Sequence, residues 1–125
     1  MSNFEGKVAL VTGAGSGMGR ATAIMFAARG AKVTVSDYAG ETAEETAQII
    51  RQAGGEAIAI RTDVRVASQV EAMIKQTVDT FGRLDAAFNN AGRGSAWARL
   101  TQITEEDFDN TVDTNLKGVF LCMKY

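Results

Sequence analysis

The chain has 125 residues, enough for one domain and too few for two, and its 46% apolar and 22% charged content is that of a folded globular protein. A formal net charge of -2, with Lys and Arg dispersed and no basic run, argues against nucleic acid as a partner. The longest apolar stretches, 21–28 and 57–60, fall far short of the roughly 20 residues that span a bilayer, so no membrane segment is expected. The N-terminal residues Met1 to Lys7 lack the charged-then-apolar order of a secretory signal. Together with a single cysteine, Cys122, this suggests a reducing cytoplasmic setting.

Short β-branched runs alternate with longer stretches of helical period, the signature of βαβ units around a parallel sheet. The first predicted strand, Lys7 to Thr12, is nearly all apolar, as for a strand covered on both faces. A glycine-rich turn leads into a helix from about Met18 to Arg29, with Ala21, Ile24, Met25 and Ala28 as the inward stripe and Gly30 as its stop. The second strand is Lys32 to Asp37, and a helix from about Glu41 to Ala53 follows with Ala43, Ala47 and Ile50 inward. After Gly54 and Gly55 comes a third strand, Glu56 to Arg61. A helix from about Val66 to Phe81 then turns Val70, Met73, Ile74, Thr77 and Phe81 inward, and Gly82 closes it. The fourth strand is Leu84 to Phe88. Beyond a loop from Asn89 to Ile103, Thr104-Glu105-Glu106-Asp107 resembles a capping box, with Asp where Glu or Gln is usual, and opens a helix expected to reach Lys124. No repeat or low-complexity linker interrupts this order. The reading is one α/β unit, residues 1–125, with a partial doubly wound parallel sheet of Rossmann type: four strands in the order 3-2-1-4 and helices on both faces.

The chemistry is concentrated where strand one meets its helix. In Thr12-Gly13-Ala14-Gly15-Ser16-Gly17-Met18-Gly19 the glycines allow a tight turn, close approach of a pyrophosphate to the backbone, and close helix–strand packing. The helix N-terminus adds free N–H groups and the positive end of its dipole. Asp37, at the end of strand two, is placed to accept hydrogen bonds from both ribose hydroxyls of NAD and to repel the 2′-phosphate of NADP. Neither Ala14 nor Tyr38 is basic, which also favours NAD over NADP. The plainer alternative for Asp37 is a strand-end residue that caps a turn. No metal site is expected.

The glycine loop resembles the Thr-Gly-x-x-x-Gly-x-Gly element of short-chain dehydrogenases/reductases. Asn89-Asn90-Ala91-Gly92 matches their Asn-Asn-Ala-Gly motif, and Asn115-Leu116-Lys117-Gly118-Val119-Phe120 resembles their helix bearing an active-site Asn. All three occur in the order of that family's N-terminal half. The resemblance implies cofactor contacts from Gly13, Gly15, Ser16, Gly17, Met18 and Gly19, from Asp37, and from Asn90, Ala91 and Gly92. It implies that Asp63, beside Val64, contacts the amino group of adenine, with a turn-forming Asp as the alternative. Asn90 would line the cofactor cleft and stabilise the sheet. Asn115 would contribute to catalysis through a backbone carbonyl that holds a water, the alternative being an Asn that bonds its own helical turn.

The family's reaction is hydride transfer between nicotinamide and a secondary alcohol or ketone, and it needs a Ser, a Tyr, and a Lys four residues after the Tyr. None of that set is present, and the chain has no His to substitute. Lys124 and Tyr125 are adjacent, so on a helix they point about 100° apart and cannot replace the pair. The chain is therefore expected to be the NAD-binding part of such an oxidoreductase, truncated ahead of the reacting residues and without turnover of its own. The alternative is a non-catalytic nucleotide-binding or oligomerisation module, pairing through the helix from Thr104 to Lys124, which resembles one the family uses between subunits. Trp97 is expected to pack over the domain edge, and Cys122 and Met123 to be core or interface residues.

Overall fold

The computed structural model describes residues 3–94 and 97–125, so the first two residues of the N-terminal segment and positions 95 and 96 of the loop before the last helix lie outside it. Strands β1 (Val8–Val11), β2 (Lys32–Asp37), β3 (Ala57–Arg61) and β4 (Ala86–Phe88) alternate with helices α1 (Gly17–Ala28), α2 (Gly40–Gln52) and α3 (Ala67–Phe81). A short 3-10 turn, Leu100–Gln102, precedes α4 (Glu105–Val112), which runs through a π-helical segment, Asp113–Lys117, into α5 (Gly118–Lys124). The sheet order is β3-β2-β1-β4 with every pairing parallel, as the alternation predicts. Among the described residues no helix is long and apolar enough to cross a membrane.

Every residue of β1 is buried because both faces of the sheet are covered. On one face Ala9, Val11, Val33 and Val35 pack with Ala23 of α1 and with Ala43, Ala47 and Ile50 of α2. On the other, Leu10 packs with Val70 and Met73 of α3 and with Leu121 and Cys122 of α5. The same alternation puts polar residues inside: the Thr34 hydroxyl meets Thr77 Oγ1 at 2.9 Å, and Thr77 in turn donates to the Met73 carbonyl, so neither buried hydroxyl is wasted. Cys122 is thus core, its thiol pKa raised by burial, whereas Met123 is exposed.

The inward stripe of α1 differs from the predicted one. Gly19 and Ala23 are buried, with Ile24, Phe26 and Ala27 packed against the core, while Ala21 and Ala28 face outward and Met25 is 57% exposed. Backbone proximity sets this rotation. A Cβ on Gly19 would lie 2.2 Å from the Gly13 carbonyl oxygen, so the helix turns the residue lacking a side chain toward the loop. Phe26 then meets Phe4 edge-on, ring centroids 5.1 Å apart. Trp97 also departs from expectation: its side chain is fully exposed and packs over nothing. The Thr104 cap forms, its Oγ1 accepting from the Asp107 N–H at 3.1 Å. Asp107, one methylene shorter than Glu, takes the Thr104 hydroxyl at 2.9 Å rather than the backbone N–H of a full capping box.

Candidate nucleotide-binding cleft

A cleft of about 690 Å³ opens at the C-terminal ends of the strands, where β1 and its neighbours on either side diverge. This is the crevice in which open α/β sheets bind ligands. The cofactor-side residues named from the sequence line it, except Gly15 and Gly19, which stand behind the loop and shape it.

The loop is held by its own backbone and by side chains from three other elements. Gly13 adopts a φ of +62°, and a Cβ there would lie 2.9 Å from Ala91 Cα. A Cβ on Gly15 would lie 2.2 Å from Thr42 Oγ1. The Ala14 N–H donates to the Ser36 carbonyl, and its carbonyl accepts from Thr46 Oγ1 at 2.8 Å. Arg20 Nε donates to that same Thr46 oxygen at 2.9 Å. Thr46 was not named from the sequence. A threonine among the alanines of the inward stripe of α2 was the available signal.

Asp37 has two backbone partners: Oδ2 accepts from the Gly15 N–H and Oδ1 from the Ala39 N–H, each at 2.9 Å. It therefore caps a turn and braces the glycine loop at once. Each carboxylate oxygen retains acceptor capacity for a ligand hydroxyl. The chain fold also brings a cation close that the local sequence does not reveal. Arg61 lies over the Tyr38 ring, 5.4 Å from its centroid, and its Nε donates to the Tyr38 carbonyl at 3.2 Å.

At the opposite wall Asn90 Nδ2 donates to the carbonyls of Thr12 and Gly13 at 3.2 and 3.3 Å, and the Ala91 N–H donates to Thr12 Oγ1 at 3.0 Å. Asn90 thus lines the cleft and ties the end of β4 to β1. Asn115 does not bond its own turn. Its Oδ1 accepts from the Arg93 N–H at 2.8 Å and its Nδ2 donates to the Arg93 carbonyl at 2.9 Å, a two-bond clamp on the loop after β4. Asn115 does not line the cleft, but it sits in the π-helical segment, a distortion often found at functional sites. Val64 is buried against α5, where a Cβ on Gly118 would come within 2.6 Å of Val64 Cγ2, so its contribution to the cleft is backbone.

Asp63 is ion-paired to Arg65, Arg65 Nη2 to Oδ2 at 2.8 Å. The hydrogen bonds from the Arg65 side chain, with further help from its backbone N–H and its charge, hold the Asp63 carboxyl below the usual carboxylate range despite burial. The Asp63 N–H is taken by Gln69 Oε1 at 2.8 Å, which anchors the turn to the start of α3. Arg65 lines the cleft and was missed in the sequence, as were Ser36 and Thr62.

Ser36 and Thr62 test whether a nucleotide fits. Ser36 is the penultimate residue of β2 and Thr62 directly follows β3; they are 1% and 2% exposed and line the cleft, yet Ser36 Oγ and Thr62 Oγ1 have no partner within the protein. An orphaned buried hydroxyl costs about 1–3 kcal/mol, so two at the floor of one cleft suit a polar ligand. Glycines without room for a Cβ, a helix N-terminus and a carboxylate with spare acceptors agree with a dinucleotide.

The model of the short chain dehydrogenase family matches residues 7–125. An uncharacterized oxidoreductase of Thermotoga maritima is 50% identical over 98% of this chain and 48% of its own length. A 2,5-dichloro-2,5-cyclohexadiene-1,4-diol dehydrogenase of Sphingobium indicum is 42% identical over 100% of this chain and 49% of its own. The crystal structure of a hydroxysteroid dehydrogenase from Escherichia coli superposes with a TM-score of 0.89 at 32% identity, over 97% of this chain and 51% of that one. The chain spans about half the length of these relatives. On the match across nearly its whole length, it belongs to the short chain dehydrogenase family of nicotinamide-dependent oxidoreductases.

Proposed function

We propose that residues 1–125 are the nucleotide-holding part of an oxidoreductase that moves hydride between NAD(H) and a secondary alcohol or ketone, with NAD preferred over NADP. The observation that carries this reading is Asp37, a carboxylate at the cleft already oriented by Gly15 and Ala39. Its charge opposes a 2′-phosphate. Of the guanidinium groups on that side, Arg65 is engaged by Asp63 and Arg20 by Glu45 and Thr46, while Arg61 lies over the Tyr38 ring and gives its Nε to the Tyr38 carbonyl. The names of the diol and hydroxysteroid dehydrogenases support an alcohol or ketone substrate.

Bound nicotinamide supplies the carbon that accepts or gives the hydride. The chain supplies binding and orientation. The start of α1 offers N–H groups to phosphate, Asp37 to ribose, Asp63 and the Val64 backbone to adenine, and Asn90, Ala91 and Gly92 form the wall toward the reacting end. Asn115 fixes that wall through Arg93. No Tyr in the 125 residues is followed four positions later by Lys, so these residues alone are expected to bind without turning over. Alcohol-dependent reduction of NAD by them would overturn that expectation.

Calorimetry with NADH, NADPH and AMP tests the assignment. NADH is expected to bind at least about 10-fold more tightly than NADPH, and Asp37→Asn to narrow the gap. A preference for NADPH would refute the role given to Asp37.

A second reading rests on its own observation. Phe108, Leu116, Phe120 and Met123 along α4 and α5 are each more than half exposed. They suit a face that pairs two copies, in a cytoplasmic homo-oligomer or a non-catalytic module. Light scattering should show a defined dimer, and heterogeneous aggregates would reject it.

A further inference from the structure

Asp63 does not face the cleft as a freely rotating carboxylate. Its Oδ1 accepts from both the backbone N–H and Nε of Arg65, each at 3.0 Å, and its Oδ2 accepts from Arg65 Nη2 at 2.8 Å. The third arm of the same guanidinium, Nη1, donates to Asn110 Oδ1 at 2.9 Å. Asn110 lies on α4, 45 positions along the chain. Planar, three-point engagement of this kind is open to Arg and not to Lys, whose ammonium is a single point charge. Both members of the pair line the cleft, with side chains only 15% and 31% exposed for Asp63 and Arg65. It is therefore stronger than an exposed surface ion pair.

Acceptor counting gives the consequence. Each carboxylate oxygen accepts two hydrogen bonds. Oδ1 is saturated by Arg65, and Oδ2 has one place left. We propose that Arg65 is the positioning residue for base recognition: it locks Asp63 so that a single acceptor remains for the exocyclic amino group of adenine, and through Asn110 it ties that acceptor to α4. The proposal rests on the reading of Asp63 as the adenine contact. A base with an amino group at this place donates to Oδ2. A base with a carbonyl there sets acceptor against acceptor, and the locked carboxylate cannot turn away to relieve it. Without the Arg65 side chain Oδ1 keeps only the backbone N–H of position 65, so the carboxylate turns about that one bond, exchanges its other partners with water, and reads the two bases alike.

The test compares NADH with reduced nicotinamide hypoxanthine dinucleotide, which replaces the amino group by a carbonyl, by fluorescence titration of the intact chain and of Arg65→Met and Asn110→Ala. The intact chain is expected to prefer NADH by about 10- to 100-fold, the worth of one hydrogen bond to a charged group. Arg65→Met should reduce the preference to within about 3-fold, and Asn110→Ala should give a ratio between the two. A brace with only a structural role would weaken both dinucleotides equally and leave the ratio unchanged. That result in both variants overturns the proposal while leaving the Asp63 contact intact. Equal binding of the two dinucleotides by the intact chain would instead remove the Asp63 contact, and the proposal with it. Should Arg65→Met lose its fold by circular dichroism, an unchanged ratio in Asn110→Ala still decides against it.

Discussion

Two regions meet at β1, and they are held together by different means. On the side of β2 and β3, apolar burial dominates: the four central residues of β2 are buried, and α1 and α2 close over them with Ala23, Ala43, Ala47 and Ile50. On the side of β4, the strand has three residues with Ala87 exposed, and α4 buries no residue at all. There α5 still packs Leu121 and Cys122 against Leu10, but the joints around the cleft are polar: Asn90 onto Thr12 and Gly13, Asn115 onto Arg93, and Arg65 onto Asn110. The cleft lies across the boundary. Its Thr12–Met18 and Asp37 wall belongs to the densely packed region and its Asn90–Gly94 wall to the clamped one. One wall of the cleft is thus set by close apolar packing, and the other by a few directional bonds.

The largest expected effect puts the comparison at risk directly. Leu10 is fully buried in β1, and Phe120 on α5 is 58% exposed. Truncation to Ala should cost about 2–5 kcal/mol at Leu10 through lost transfer energy and a cavity. At Phe120 it should cost within about 0.5 kcal/mol. Urea unfolding of both variants measures the difference. Equal losses would mean that the outer face of α5, carrying Phe120, is as covered as β1, and the contrast would fail.

Next in size is the joint between loop and helix. Gly19→Ala places a methyl group 2.2 Å from the Gly13 oxygen and 2.7 Å from Asn90 Nδ2, and the first contact is backbone that cannot swing aside. The expected loss is about 1–3 kcal/mol, and the displaced loop should lower NADH affinity at least about 10-fold. Retention of wild-type affinity in a titration would show that the loop adapts and that its rigidity was overstated.

Much of this was legible in one dimension, because its causes are local. Strand order follows from βαβ alternation, and the glycine loop and Asp37 from their spacing along β1 and β2. Gly30, Gly54 and Gly82 end their helices in left-handed conformations with φ of 97°, 90° and 83°. What escaped depends on three-dimensional neighbours. The rotation of α1 follows from the approach of Gly19 to Gly13, not from the hydrophobicity of Met25 or Ala28. Ser36 and Thr62 lie near the ends of apolar strands, one inside β2 and one just past β3, and their meaning emerges only when both reach one cleft. Arg65 and Asn110 form their bond across 45 residues with no motif around either. The π-helical segment shifts the register between α4 and α5, which a single helical period from Thr104 to Lys124 could not anticipate.

A smaller effect concerns the clamp on the loop after β4. Asn115→Ala removes both bonds to Arg93, whose backbone is exposed enough for water to replace them. A net loss of about 1 kcal/mol is expected, with faster hydrogen exchange at the Arg93 amide. An unchanged exchange rate would show that the loop after β4 is fixed by something other than Asn115, and the clamped character of that region would need another source.

The smallest effect is a dependence on pH. Hydrogen bonds from Arg65 lower the Asp63 carboxyl in the folded chain, whereas in the unfolded chain it titrates near the ordinary value of about 3.9. A group depressed on folding binds fewer protons folded than unfolded, so its stabilisation is complete above the unfolded value and drains away as pH falls through the folded one. Between pH 5 and 8 the stability difference between the intact chain and Asp63→Asn should therefore be flat. Below about pH 4 it should shrink as the intact chain takes up the proton that abolishes the pair. Arg65 remains charged throughout, so the slope belongs to the carboxylate alone. Denaturant titrations of both proteins across this range measure it. A difference that grows toward low pH would mean that Asp63 is raised rather than lowered by its surroundings, with burial prevailing over Arg65. The polar joint between β3 and α4 would then be a strain on the clamped region instead of one of its supports.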